Sequence, residues 1–195
     1  MDDSLAKIRH ARSKKDFPFL KLEEDEYVEF AFSRAKICLI GIFGGVAVGI
    51  AAIVGIFMFF LNSSSGNAFV DGGKFSLFII AFCFIIAALL IGVVALIVYR
   101  GNRLFITNKH AIQMVMRTPV ATSVNMIDLP SIEDASFHQD GITQKLFRYG
   151  TFRLSTVGDE TTYTFTYSDV TPEDLKAVSK LITEAKEKLR KDKKK

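Results

Sequence analysis

From Ile37 to Leu61 the chain reads ICLIGIFGGVAVGIAAIVGIFMFFL, and from Phe75 to Tyr99 it reads FSLFIIAFCFIIAALLIGVVALIVY. Neither run contains a charged residue, and each is 25 residues long. As α-helix that length spans about 37 Å, against a hydrocarbon core of about 30 Å. The first run holds fifteen Ile, Leu, Val and Phe residues and five glycines, and the second holds seventeen and one. At roughly 0.3–0.6 kcal/mol per large apolar residue, the first run favours insertion into a bilayer by about 4–9 kcal/mol at most, reduced by its glycines. Core helices of soluble proteins are usually shorter and carry a polar stripe. A secretory signal does not fit, because 36 mixed-charge residues precede the first run and the run is too long for a signal core. The two runs predict transmembrane helices over 37–61 and 75–99, joined by a loop over 62–74.

The basic residues around the runs are unequally shared. Lys7, Arg9, Arg12, Lys14, Lys15, Lys21, Arg34 and Lys36 precede the first run. Arg100, Arg103, Lys109 and Arg117 follow the second, whereas the loop carries only Lys74. The positive-inside rule then places both termini in the cytoplasm of a multi-pass protein of the cell membrane, and the loop outside. Tyr99-Arg100 has the form of an interface anchor, ring at headgroup depth and charge outward.

Gly41, Gly45 and Gly49 share one helix face, and small residues at this spacing let two backbones approach closely in lipid. Ala88 and Gly92 of the second run offer a complement. This face serves either packing within the hairpin or the seam of a homo-oligomer. Neither run contains Asp, Glu, Lys, Arg or His, the groups that ion pathways and polar substrate sites usually need inside a membrane. The helices therefore read as an anchor. Cys38 and Cys83 lie within the apolar runs and read as small packing residues.

After Arg100 the periodicity changes. LFIT (104–107), a turn at Asn108 and AIQMVM (111–116) predict a hairpin. SVNMIDLP (123–130) and 132–138 predict two further strands, the second ended by Asp140-Gly141. TFRLST (151–156) and TTYTFTY (161–167), separated by Gly158-Asp159, alternate cleanly. Then Thr171 reads as an N-cap, Pro172 as the first helical residue and Asp174 as the third, followed by an apolar stripe from Leu175 to Leu189. Six strands and one amphipathic helix predict a small curved sheet or barrel plugged by the helix.

The runs GNRLFITNKHAIQMV, VNMIDLPSIEDASFHQ and KLFRYGTFRLSTVG resemble the bacterial PH-like domain of membrane proteins with two preceding helices. The matching features are the turn at Ile106-Thr107-Asn108, the stretch from Ile127 to Ile132, and Phe147-Arg148-Tyr149-Gly150-Thr151. The segment Leu22-Glu23-Glu24-Asp25-Glu26 is similar to that family's lead-in. The resemblance covers roughly Leu22 to Leu189. It implies a membrane α-helical hairpin plus an α+β, mainly β, PH-like curved sheet or barrel, capped by a C-terminal amphipathic helix. In this reading 1–36 is a cytoplasmic N-terminal segment, 100–189 the cytoplasmic PH-like domain and 190–195 a basic tail.

His10, His110 and His138 lack the spacing of metal ligands. No hydrolase, protease, P-loop or dinucleotide fingerprint occurs. Glu133-Asp134 and Asp159-Glu160 are neighbouring carboxylates of the kind that solvent usually surrounds. No enzymatic activity and no cofactor are expected. Candidate contacts for anionic lipid or a protein partner are Arg103, Lys109, Lys145 and Arg148 on the domain. Arg190, Lys191, Lys193, Lys194 and Lys195 join them on the tail, where each base near an anionic leaflet contributes about 1 kcal/mol. A nucleic-acid partner is not expected, because the tail lacks interleaved aromatics. The function these features suggest is a membrane-anchored scaffold that binds a protein segment or anionic headgroups at the cytoplasmic face. The alternative is an accessory subunit of a membrane enzyme or transport complex.

Overall fold

A computed structural model describes residues 2–62, 68–156 and 162–192. Its elements are α1 (Asp2–Asp16), β1 (Val28–Ser33), α2 (Ile37–Asn62), α3 (Ala68–Gly101), β2 (Arg103–Thr107), β3 (His110–Thr118) and β4 (Ala121–Asp128). After a 3-10 turn at Leu129–Ser131 come β5 (Ile132–His138), α4 (Ile142–Leu146), β6 (Gly150–Thr156), β7 (Thr162–Ser168) and α5 (Pro172–Asp192). The chain forms two compact units: Lys36–Tyr99, and Met1–Ala35 together with Arg100–Lys195.

The helical unit is an antiparallel pair. Ile37–Asn62 and Phe75–Gly101 are each long and apolar enough to cross a membrane. α3 starts at Ala68, so part of the predicted loop 62–74 is helix, and residues 63–67 lie outside the described residues. Phe57 meets Phe78 with ring centroids 6.3 Å apart. Gly92 is the tight spot, where an added Cβ would stand 2.9 Å from a Val46 methyl. An added Cβ at Gly41, Gly45 or Gly49 would meet nothing within 4 Å. The proposed complement of this row with Ala88 and Gly92 is therefore not formed within the hairpin. Val46, three residues from Gly49, takes that place instead.

The second unit contains all six predicted strands and α5, but not a closed barrel. With β1 added they form a four-stranded sheet in the order β1-β2-β3-β4 and a three-stranded sheet in the order β5-β6-β7. Just past β1, Arg34 bridges Ser168 of β7, and the Ala35 N–H donates to Tyr167 O at 2.7 Å. Across the core, the Gln113 amide donates to Thr164 O at 2.9 Å. On the other side Pro130, which has no N–H to give a ladder, sits in the 3-10 turn that separates β4 from β5. α5 packs against this turn and β5, so apolar side chains fill the seam that hydrogen bonds do not close. Val178 and Ile182 of its stripe are buried with Leu129, Ile132, Phe152 and Phe165. The helix starts as the sequence predicts: Thr171 Oγ1 accepts from the Asp174 N–H at 3.2 Å, and Asp174 Oδ2 accepts from the Thr171 N–H at 2.9 Å.

β1 was not foreseen. The expected boundary between a segment at 1–36 and a domain at 100–189 does not hold, because β1 pairs antiparallel with β2, Ser33 opposite Arg103. A bulge between Val28 and Phe30 turns the strand over. Phe30 and Phe32 then face the inter-sheet core, and Val28 faces a second cluster built on Leu20, Phe105 and Ile112. Residues from Phe17 to Leu22 lie on the outer face of β2 and β3, with Phe17 and Phe105 ring centroids 5.0 Å apart. β2 is thus covered on both faces, which is why Leu104, Phe105, Ile106 and Thr107 are buried without alternation.

Candidate interaction surfaces

The lead-in and the β2–β3 turn, some 80 residues apart in sequence, lock onto each other. Asn108 accepts from the Tyr27 N–H at 3.0 Å and donates to Asp25 O at 2.9 Å. Glu26 is almost wholly buried. Its carboxylate accepts from the Thr107 hydroxyl at 2.6 Å, from His110 Nδ1 at 2.8 Å and from the Glu23 N–H at 3.1 Å. His110 Nε2 lies 3.3 Å from Asp128 Oδ1, and His10 Nδ1 donates to Glu26 O at 2.6 Å. Burial raises the Glu26 pKa, but the bonds from Thr107, His110 and Glu23 outweigh it and hold the carboxyl below its ordinary range. These residues tie α1, the lead-in and the hairpin into one body.

That lock occupies two of the basic candidates. Lys109 donates to Glu23 at 2.7 Å, and this bond raises its pKa. Arg103 donates to Arg100 O at 3.1 Å and stacks over Phe19 at 5.8 Å. Both cations already have partners in the fold. Lys145 and Arg148 differ: they come together on one open cleft of about 390 Å³, with Gln139, Thr171 and Glu173 on its walls. Arg190 and Lys191 are exposed on the last turn of α5. Lys193, Lys194 and Lys195 lie outside the described residues, as does Asp159-Glu160.

The turn that carries Lys145 and Arg148 is firmly built. Phe147 donates its N–H to Thr143 O and Tyr149 to Gln144 O, each at 3.0 Å. Gln144 Oε1 accepts from the Asp140 N–H at 2.5 Å, and Gln139 Nε2 reaches Tyr149 O at 3.1 Å. Arg148 takes a left-handed φ of 51°. Two residues on, an added Cβ at Gly150 would lie 2.5 Å from His138 O, so only glycine fits where β6 starts. The stretch Phe147 to Thr151 is thus a geometric device that reverses the chain between β5 and β6. The sequence predicts no element here, because five helical residues are too few to show a period.

A family model described as "Bacterial PH domain" matches residues 37–186, more than half of the chain. The chain belongs to the bacterial PH domain family. The match to the PH domain begins at the first apolar helix and runs into α5, leaving out β1 and the lead-in. No curated protein matches. Among solved structures, the crystal structure of a duf1696 family protein with a pleckstrin-homology domain from Shewanella loihica pv-4 is similar at 15% identity and a TM-score of 0.32. That likeness covers 44% of this chain and 70% of the other, and is too slight to bear on the fold. For this PH domain, membership supports an interaction module and no more specific activity.

Proposed function

We propose that this chain is a non-enzymatic module whose helical hairpin crosses the cell membrane and holds its PH domain at the cytoplasmic face. There the domain contacts a protein segment or anionic lipid. The observation that carries this reading is the place of the hairpin in the chain. It interrupts two paired strands: three residues join β1 to α2, and Asn102 alone separates α3 from β2. Both ends of the hairpin are therefore joined to paired strands of the domain by short connections. β4 supports the protein-binding half, since it is the edge of its sheet and exposes Val124 and Met126. An extended segment can add to such an edge through main-chain bonds. Lys145 and Arg148 support the lipid half.

The test is sided labelling, with Cys38 and Cys83 replaced. Ser64→Cys should react with an impermeant thiol reagent on intact cells, and Ser155→Cys should react only after lysis. The reverse pattern would refute the orientation, and equal labelling of both would refute the anchor.

A second reading, an accessory subunit or homo-oligomer, is favoured by the row Gly41, Gly45 and Gly49. Among the described residues nothing lies within 4 Å of a Cβ added on this row, as expected if another chain's helix packs there.

A further inference from the structure

The β5–β6 turn shows apolar side chains that the fold has no use for. Ile142 is 84% exposed, Leu146 71% and Phe147 50%. Ile142 and Leu146 are four apart and share one face of α4. The hydrogen bonds around Gln144 hold the turn in place, so these side chains are presented by a set backbone. Lys145 and Arg148 flank them, and there is no acidic residue from Gly141 to Gly150. Tyr167, half exposed and stacked on Tyr149 at 5.9 Å, adds an amphipathic ring next to the turn.

We infer that the turn from Ile142 to Arg148 is a membrane-insertion wedge: Ile142, Leu146 and Phe147 enter the interface of an anionic leaflet, and Lys145 and Arg148 face its headgroups. Apolar side chains beside Lys and Arg on a short amphipathic element are the composition that partitions into a bilayer interface. Glu173 on the cleft wall argues against a cradle for one phosphate, so the attraction is to surface charge and not to a particular headgroup. The inference rests on the membrane anchor proposed above. Because that anchor keeps the domain beside a bilayer, even a weak contact becomes populated through effective concentration. The wedge then fixes the orientation of the domain, and with it the direction in which the β4 edge is offered.

The chain contains no tryptophan, so Phe147→Trp gives the full-length protein a single tryptophan, excited selectively over its tyrosines. It is reconstituted in nanodiscs of phosphatidylcholine, alone or with about a third phosphatidylglycerol, with part of the lipid brominated on its acyl chains. On anionic discs its emission should shift to the blue and be quenched roughly twofold. Replacing Lys145 and Arg148 by Gln should weaken that quenching. Leu89→Trp, in the middle of α3, reports on the anchor separately. Quenching at Leu89 without quenching at Phe147 overturns the wedge and leaves the anchor standing. No quenching at either overturns both. Blue-shifted but unquenched emission at Phe147 means that protein covers the turn, which also overturns the wedge. Equal quenching on neutral discs overturns the part assigned to anionic charge. Ile142→Trp, at the more exposed end of the turn, repeats the test if the Phe147 variant does not fold.

Discussion

Glu26 is the residue on which the N-terminal segment turns. A buried carboxylate is destabilising unless its oxygens are bonded, and here Thr107, His110 and the Glu23 N–H supply the bonds. Its folded pKa lies below the ordinary 4.5. A depressed carboxyl contributes stability above its unfolded pKa and loses it as pH falls through the folded value. Glu26→Gln should therefore lower stability near neutral pH by about 1–3 kcal/mol. The variant should also lose less stability than the wild type on acidification to about pH 3. Thermal unfolding of the two proteins across that range checks both; parallel curves would mean the carboxylate is not what holds the lock. The lock had a visible sign in the sequence, an acidic LEEDE run and a TNKH turn of opposite charge. What was hidden is that they meet.

At the scale of elements, β1 changes what counts as the domain. A fragment starting at Asn102 lacks Phe32, which is 6% exposed in the core, and leaves β2 with a bare edge. It also loses the cover that Phe17 and Leu20 give to Phe105. Such a fragment should be unfolded or aggregated. Joining residue 35 to residue 102 by a linker of about four residues should restore a soluble fold, because Ser33 and Arg103 are already opposite each other and a short hairpin loop spans that gap. Circular dichroism and dispersed amide spectra distinguish the two. A well-folded Asn102 fragment would show β1 to be dispensable. α5 was legible from its cap to Leu189 because cap, proline and stripe are all local, although the helix runs on to Asp192, into the predicted tail. β1 was not, because VEFAFS is short and its two phenylalanines gain meaning only from the strand beside them.

On the scale of the whole molecule, the open face of the hairpin is the feature that remains to be filled. Gly45→Leu puts a branched side chain where the structure leaves space. The hairpin's own thermal stability in mild detergent should therefore change by less than about 1 kcal/mol. Crosslinked dimers or a co-purifying membrane partner should be lost, because a bulky residue keeps a second backbone away. Unchanged association would mean that this face meets only lipid, and a strongly destabilised monomer would mean that the hairpin packs through the row after all.

The sequence by itself determined what depends on local composition: two membrane-length apolar helices, six strands, the capped C-terminal helix and membership of a PH-like family. Those properties are set within windows of a few to about 25 residues. Only the tertiary structure decided which segments meet. It brought β1 beside β2 across an intervening hairpin, put Glu26 under His110, left the sheets open beneath α5 and set Lys145 with Arg148 on one cleft. It also occupied Lys109 and Arg103. Pairings of this kind depend on where the chain returns after tens of residues, which no local pattern records. Whether a lysine is free or bonded depends on the segment that comes back to it.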